Sequence, residues 1–234
     1  MKIAGLQKMT LLDYPGKVAC TVFLQGCNYR CPFCHNAELL DAGGEPLMTR
    51  EELLAFLKKR TGMLEGVCVS GGEPTLSPEL PGLLADIKEL GYDVKLDTNG
   101  SRPRVLKELV AAGLVDYVAM DIKNSPGRYA ETCGLSRVDL ADVEESARFL
   151  LSGVVDSEFR TTVVLPLHDE DSIAEMGRWL HHLAGQKPVK KLFLQPFVDR
   201  DTVVFSGLQA PDSGKLADFA ELLQPFVLEI IVRG

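Results

Sequence analysis

The segment VACTVFLQGCNYRCPFCHN, residues 18–36, joins a run of apolar and β-branched residues to three closely spaced cysteines. The apolar run has the composition of a buried β-strand, because β-branched and aromatic side chains pack well on a pleated surface. Cys27, Cys31 and Cys34 follow it with the spacing C-x3-C-x2-C. In α/β folds, functional side chains gather where parallel strands end. The segment therefore predicts a strand with a cysteine-based site at its carboxyl end.

Strand-like and helical patterns alternate along the rest of the chain. The first predicted strand covers residues 18–25, and further strands are predicted at 66–70, 93–97, 115–122, 158–165, 190–197 and 227–232. Helical patterns occupy the intervals, and one of them begins with a capping box formed by Thr49 and Glu52. Repeated strand–helix–strand units favour a parallel sheet with right-handed crossovers. The strands lack regular polar alternation, as expected when both faces of a sheet are covered.

The predicted sheet has no dinucleotide-binding motif, since no Gly-x-Gly-x-x-Gly sequence follows the first strand. This absence disfavours an open, doubly wound sheet. We therefore predict an α/β fold, specifically a partial, open β/α barrel of about six parallel strands. No linker-like or low-complexity segment divides the chain, so a single domain is predicted over residues 1–234.

The amino-acid composition describes an acidic chain of 234 residues, 46% of them hydrophobic, which is enough to bury a full core. The 33 acidic and 25 basic residues give a formal charge of −8, whereas a nucleic-acid-binding surface is basic. No apolar run approaches the ~18 residues of a membrane helix, and residues 1–16 lack the apolar segment of a signal peptide. We expect a cytoplasmic protein with reduced cysteines that binds neither nucleic acid nor a membrane.

Three cysteines within eight residues indicate a metal-binding site. A disulfide would leave one thiol over, and disulfides are rare in a reducing compartment. A structural zinc site usually has four Cys or His ligands in two separated pairs, and no second pair follows here. A four-iron cluster with only three cysteine ligands keeps one iron open. The sequence thus favours a 4Fe-4S cluster held by Cys27, Cys31 and Cys34 whose open iron binds a substrate, over zinc or a closed electron-transfer cluster.

The other three cysteines are not expected to bind the cluster. Cys20 lies too far down the first predicted strand to reach the site, because a strand rises about 3.3 Å per residue. Cys68 lies in the middle of the second predicted strand, and buried free cysteines commonly serve packing. Cys133 lies in a polar segment, and its pattern assigns it no role.

The cysteine spacing, with Phe33 before the third cysteine, resembles the signature of the radical S-adenosylmethionine (SAM) family. The stretch VSGGEPTL, residues 69–76, resembles the Gly-Gly-Glu motif of that family. The resemblance implies that the open iron is chelated by the amino and carboxylate groups of SAM. Gly71 and Gly72 would let backbone carbonyls approach the methionine amino group, because a glycine has no Cβ to obstruct them. Glu73 would accept a hydrogen bond from the same ammonium.

The resemblance also implies cofactor contacts at the ends of other predicted strands. The positions concerned are Phe33 and His35 near the adenine, Asp97 and Asn99 in DTNG, Asp121 and Lys123 in DIK, and Arg160. Lys123 would suit the methionine carboxylate or the ribose, and Arg160 matches an arginine near that carboxylate. Asp97 and Asp121, on adjacent predicted strands, could share a cation.

The role of His35 has two alternatives, and the residue at position 198 departs from the family pattern. His35 would serve as a general base or, as the residues favour, as a packed side chain at the edge of the adenine. Some formate-lyase activases have a histidine after the sixth strand, where this chain has LQPFV and therefore Val198. Val198 has no ring nitrogen to replace that contact.

Residues 5–36, especially DYPGK at 13–17, resemble the activating proteins of anaerobic ribonucleoside-triphosphate reductases, which are glycyl radical enzyme activases. The resemblance implies one-electron reduction of SAM to a 5'-deoxyadenosyl radical, which removes a hydrogen from a glycine of the partner reductase. No second cluster motif is present, so a separate donor such as flavodoxin or ferredoxin would supply electrons. The alternatives are activation of another glycyl radical enzyme such as pyruvate formate-lyase, a small-molecule reaction such as deazapurine synthesis, and a non-enzymatic electron carrier.

Overall fold

The computed structural model describes residues 1–41, 43, 45–201, 203 and 205–233. Within these ranges the strands are β1 (Ile3–Thr10), β2 (Ala19–Leu24), β3 (Gly66–Gly71), β4 (Asp93–Thr98), β5 (Tyr117–Asp121), β6 (Asp156–Val163), β7 (Val189–Pro196) and β8 (Val227–Val232). The α-helices are α1 (Arg50–Lys58), α2 (Leu80–Glu89), α3 (Pro103–Ala111), α4 (Tyr129–Thr132), α5 (Leu140–Leu151), α6 (Glu170–Leu183) and α7 (Ser213–Leu223). Strands β2 to β8 correspond to the seven strands predicted from the sequence.

The sheet follows the order of the chain, from β1 to β8. Strands β2, β3 and β4 pair in parallel, and so do β6, β7 and β8. A helix lies between most successive strands, which is the connection that parallel strands require. The predicted α/β class with parallel strands is therefore confirmed. The capping box of Thr49 and Glu52 is also present at the start of α1.

Strand β1 is the element that the sequence did not predict. It runs antiparallel to β2, and most of its residues are partly or fully exposed. Its sequence, IAGLQKMT, has neither a continuous apolar run nor regular alternation. Backbone pairing with β2 makes it a strand, and backbone pairing leaves no signal in side-chain hydrophobicity.

The chain divides into two compact units, which we call the first unit (residues 1–28 and 38–119) and the second unit (residues 29–37 and 120–234). In the first unit β2 and β3 are largely buried, and Val22, Val67 and Leu53 are fully enclosed. In the second unit Leu194 and Ile173 belong to an equally buried core. The single domain over residues 1–234 stays a prediction. No helix among the described residues has the length and apolarity needed to cross a membrane.

Candidate active site

In the first unit, two glycines join the end of β3 to the segment that carries Cys27. The backbone N–H of Gly72 donates to the carbonyl of Leu24 at 2.9 Å. A Cβ on Gly72 would lie 2.2 Å from the carbonyl oxygen of Gly26, and one on Gly71 would lie 2.3 Å from that of Leu24. Gly71 also has a φ of +115°, which side chains disfavour. The glycines are therefore required for close backbone packing beside Cys27.

Glu73 is buried, with 2% of its surface exposed. One carboxylate oxygen accepts from the backbone N–H of Thr75 at 3.1 Å and from the hydroxyls of Thr75 and Thr98, the latter at 2.8 Å. The other accepts from the backbone N–H of Asn99 at 2.6 Å. Burial raises the pKa of Glu73, and these donors act against that rise. Glu73 thus ties the turn after β3 to the turn after β4.

Asn99 is hydrogen-bonded to Asn28, a residue of the cysteine motif to which the sequence assigned no role. Its amide nitrogen donates to the Asn28 side-chain oxygen at 2.9 Å, and its side-chain oxygen accepts from the backbone N–H of Ser101 at 3.0 Å. Asn28 in turn donates to the Ser101 hydroxyl at 2.9 Å. Asn28 lies directly after Cys27, and that position was the only sequence signal for its importance.

Asp97 is paired with groups of the first unit. One oxygen accepts from the hydroxyl of Ser70 at 3.0 Å, and the other accepts from the ammonium of Lys95. Lys95 lies within the strand predicted at 93–97, and no local pattern indicated that its charge is buried.

In the second unit, Cys31 and Cys34 share a tight turn in which the backbone N–H of Cys34 donates to the carbonyl of Cys31 at 3.1 Å. A hydrogen bond from Cys133 and the positive charge of Lys123 lower the pKa of Cys31 to about 7, against the opposing effect of burial. Burial raises the pKa of Cys34. The carbonyl of Cys133 also accepts from the backbone N–H of Arg30 at 2.8 Å. Cys133 therefore supports the cysteine turn, a role that the sequence did not reveal.

Phe33 and His35 pack inside the second unit. Phe33 belongs to a buried apolar cluster with Val164, Leu167 and Phe197. The His35 ring stacks on Phe197 with centroids 5.7 Å apart, and its Nε2 atom donates to the Val198 carbonyl at 2.7 Å. Burial lowers the pKa of His35. These contacts favour the packing role of His35 over the general-base role.

Asp121, Lys123 and Arg160 form a charged cluster in the second unit. Asp121 accepts from the Lys123 ammonium at 2.9 Å and, through its other oxygen, from Arg160 Nε at 3.0 Å and Nη2 at 2.9 Å. Burial disfavours the Lys123 ammonium, but the charges of Asp121 and Cys31 raise its pKa above the usual range. Two cations share one carboxylate, so the cluster carries a net positive charge that suits an anionic group.

His168 holds the backbone beneath this cluster. Its Nε2 atom donates to the carbonyl of Lys123 at 2.8 Å, while its Nδ1 atom accepts from the backbone N–H of Val164 at 3.2 Å. The contact that Nδ1 accepts requires the neutral ring, and burial lowers the pKa of His168. Its position outside every motif explains why the sequence analysis missed it.

The donor set fits an iron–sulfur cluster. Cys27 belongs to the first unit and Cys31 and Cys34 to the second, and none of the three is in a disulfide. Within the described part of the chain, no three His, Cys, Asp or Glu side chains are grouped as ready-made metal ligands. Thiolates are nevertheless the ligands that iron–sulfur clusters use, and a pKa of about 7 makes the Cys31 thiolate accessible near neutral pH.

Residues 21–180 match the family model of the radical SAM superfamily. The chain belongs to the radical SAM superfamily. Membership of this superfamily implies an enzyme that uses a 4Fe-4S cluster and SAM. The resemblance that the cysteine spacing and the Gly-Gly-Glu stretch indicated is thereby confirmed, whereas the number of cysteine ligands stays a prediction.

The chain is similar over its whole length to an archaeal protein. The "Putative glycyl-radical enzyme activating enzyme" of Methanocaldococcus jannaschii is 30% identical over 244 residues, which are 99% of this chain and 95% of the relative. The pyruvate formate-lyase 1-activating enzyme of Escherichia coli K12 is 29% identical over 208 residues, 84% of this chain and 80% of that enzyme. Within the radical SAM superfamily, the chain thus belongs with the activating enzymes of glycyl radical enzymes.

A solved structure supports the fold. The crystal structure of Streptococcus suis SuiB superimposes with a TM-score of 0.69 and 14% sequence identity, covering 92% of this chain and 48% of SuiB. At this identity the likeness concerns the fold alone. It agrees with the α/β fold with parallel strands that was predicted from the order of strands and helices.

Proposed function

We propose that this chain activates a glycyl radical enzyme. The observation that carries the proposal is the match to the archaeal activating enzyme, which extends over 99% of this chain and 95% of that relative. A match to the cofactor-binding core alone would be expected of any radical SAM enzyme. Similarity that continues past residue 180, where the superfamily match ends, supports a shared substrate class as well.

The proposed cluster ligands are Cys27, Cys31 and Cys34. When bound, the 4Fe-4S cluster and SAM supply the 5'-deoxyadenosyl radical. In the first unit, Gly71 and Gly72 keep the turn after β3 against the segment of Cys27. We propose that the backbone of this turn also binds the methionine amino group.

Glu73 would act with this turn in two ways. Its four donors position the turns after β3 and β4, and the oxygen that accepts only from Asn99 has a lone pair left for the ammonium of SAM. Asp97 and Asn99, which flank Thr98 on the same turn, are proposed to contact the cofactor from this side. Glu73 is thus proposed to bind the SAM ammonium while it accepts the observed hydrogen bonds from the two turns.

In the second unit, Lys123 and Arg160 would bind the methionine carboxylate. Arginine and lysine stabilise carboxylates through charge-assisted hydrogen bonds, and Asp121 holds both cations within 3.0 Å of one carboxyl group. Asp121 thereby prevents the two like charges from separating before the ligand arrives. Phe33 and His35, which pack around Phe197, would contact the adenine of SAM.

We infer that the partner is an anaerobic ribonucleoside-triphosphate reductase. The inference is supported by residues 5–36, in which DYPGK precedes the first predicted strand and HN follows the third cysteine. A backbone glycine of that partner would have to approach within about 3–3.5 Å of the reactive carbon for hydrogen transfer. Electrons would come from a separate flavodoxin or ferredoxin.

A second candidate partner is a glycyl radical enzyme of the pyruvate formate-lyase type. The similarity to the Escherichia coli formate-lyase activase, over 84% of this chain, supports it. The departure at Val198 opposes it, because this position supplies a carbonyl to His35 and no imidazole of its own. The chemistry would be the same for both partners.

The test is isotope transfer from the partner's glycine. A candidate reductase labelled with deuterium at that glycine is mixed anaerobically with the reduced activase and SAM. We expect deuterium in the 5'-deoxyadenosine and a glycyl radical doublet in the electron paramagnetic resonance spectrum of the reductase. The matched control is a reductase with alanine at that glycine, in which a Cβ replaces one of the two α-hydrogens and crowds the approach to the α-carbon.

Three outcomes separate the candidates. Label transfer from the reductase supports the inferred partner, and transfer only from a formate-lyase type of enzyme supports the second one. Unlabelled 5'-deoxyadenosine with every glycyl radical enzyme of the host would contradict the activase function and favour a small-molecule substrate. The Cys31→Ala variant should form no 5'-deoxyadenosine with any partner.

A further inference from the structure

Lys95 is a charged side chain in the interior of the first unit. It lies in β4 between Val94 and Leu96, and 1% of its side chain is exposed. Its ammonium donates to one carboxylate oxygen of Asp97 and lies 3.9 Å from the sulfur of Cys68. An ammonium withdrawn from water is costly unless an opposite charge compensates it. Asp97 provides that charge.

Asp97 occupies the border between this interior and the predicted cofactor contacts. It follows Lys95 by two residues, so both side chains lie on the same face of β4. Its second oxygen accepts from the hydroxyl of Ser70 at 3.0 Å, and 13% of its side chain is exposed. The two residues that follow it donate to Glu73. The ion pair therefore adjoins the turn on which the proposed cofactor contacts lie.

Packing does not require a lysine at this position. Its cross-strand partner in β3 is Cys68, a small and fully buried side chain on the same face of the sheet. Apolar residues of similar size often stabilise an interior as well as a buried ion pair does. What a lysine adds, and what methionine would not add, is a positive charge fixed beside Asp97.

We propose that Lys95 is a positioning residue that supplies the counter-charge of Asp97 from within the protein, in place of a bound metal cation. Asp97 is thereby kept oriented at the end of β4, as an acceptor for a donor group of the cofactor. Only this last clause rests on the proposed function. The internal counter-ion is a property of the first unit and can be tested without a partner enzyme.

The unmodified holoenzyme provides the first test. Melting temperature and SAM affinity are measured at constant ionic strength in choline chloride and in the chlorides of sodium, potassium, ammonium and magnesium. We expect the same values in all five salts, because the site of the positive charge is already filled by Lys95. A saturable gain with one small cation that disappears in Asp97→Asn would overturn the proposal.

The second test is a double-mutant cycle with Lys95→Met, Asp97→Asn and the double variant. Each single variant leaves one buried charge without its partner, so each should melt several degrees below the unmodified protein. The double variant removes both charges and should recover most of the loss. If Lys95→Met does not fold, recovery of folding in the double variant gives the same support. A double variant no better than Lys95→Met would overturn the coupling.

Lys88→Met is the matched control. Lys88 also pairs with an aspartate of the first unit, Asp116, at 2.8 Å, but 28% of its side chain is exposed. Its removal should lower the melting temperature much less than removal of Lys95. A Lys95→Met variant that melts like Lys88→Met would contradict the proposal. SAM affinity in the double variant then tests the last clause: unchanged affinity would remove Asp97 from the cofactor site and leave the internal counter-ion in place.

Discussion

The two units hold their candidate ligand-binding carboxylates in opposite ways. In the first unit, Glu73 is 2% exposed and its oxygens accept from neutral hydroxyl and backbone donors. In the second unit, Asp121 is 30% exposed and is paired with two cations, Lys123 and Arg160. A carboxylate buried among neutral donors stabilises the turns that provide them. A partly exposed carboxylate between two cations leaves positive charge available to a ligand.

The largest effect is expected from the three cysteines proposed as cluster ligands. Changing Cys31 to alanine removes a proposed iron ligand, so the cluster should be lost, and Cys27→Ala should have the same effect from the first unit. Cys20→Ala should keep full iron, because Cys20 is buried in β2 and desolvation raises the pKa of its thiol to about 12. Iron and sulfide analysis of the reconstituted proteins checks this. Full iron content in Cys31→Ala would refute the ligand assignment.

Glu73→Gln is expected to show the structural character of the first unit. The amide nitrogen of glutamine cannot accept the hydrogen bonds that Thr98 or Asn99 donate, so buried donors lose their acceptor. The free energy of unfolding should fall by about 1–3 kcal/mol, with SAM affinity falling as well and the cluster retained. Denaturant unfolding measures the first change. Glu89→Gln, at an exposed position in α2, is the control and should leave stability unchanged.

Arg160→Met is expected to show the ligand-facing character of the second unit. Asp121 keeps Lys123 as a partner, so the loss of stability should be small. The loss of one charge-assisted hydrogen bond to the methionine carboxylate should weaken SAM binding roughly tenfold to a hundredfold. Equilibrium binding to the reconstituted protein gives the affinity, and Arg148→Met on the surface of α5 serves as the control. Normal affinity with reduced stability would make this cluster structural, like the surroundings of Glu73.

His168 predicts a pH dependence of stability in the second unit. Its pKa is lowered in the folded protein, so the unfolded chain binds a proton more readily, and stability should fall as the pH drops below about 6.5. The contribution of one such group cannot exceed about 1.4 kcal/mol per pH unit. Urea unfolding between pH 5.5 and 8 measures the slope. His168→Gln should reduce it, and an unchanged slope would show that His35 or other groups cause it.

The smallest effect is expected from Cys133→Ala. Cys133 hydrogen-bonds to Cys31 but is not a proposed ligand, so iron content should stay full. Hydrogen bonds to ligand sulfurs raise cluster potentials, so the reduction potential of the variant should fall slightly. A redox titration followed by electron paramagnetic resonance detects the shift. Loss of iron would mean that Cys133 holds the cysteine turn in place, and an unchanged potential would mean that its contact with Cys31 has no electronic effect.

Among the strands of the described residues, β2 to β8 were predictable because apolar and β-branched residues concentrate in them and helical patterns separate them. Strand β1 was not, since it depends on backbone pairing with β2 and most of its residues are partly or fully exposed. In the candidate site too, features with a local sequence pattern were predictable and features that depend on tertiary contacts were not. Cysteine spacing and the Gly-Gly-Glu stretch are local patterns, and the superfamily match confirms what they indicated. Asn28, His168 and Cys133 belong to no local pattern, and they were found only from their hydrogen bonds.

The sequence by itself determined the α/β class, the radical SAM family and the kind of cofactor, because each depends on residues that are close together in the chain. The tertiary structure alone decided what surrounds each charged group. Lys95 and Lys123 look alike in sequence, each separated by one residue from an aspartate. In the structure, Lys95 is enclosed beside Asp97, whereas Lys123 shares Asp121 with Arg160 from another strand. The environment of a charge depends on distant segments that folding brings together, and local sequence does not record them.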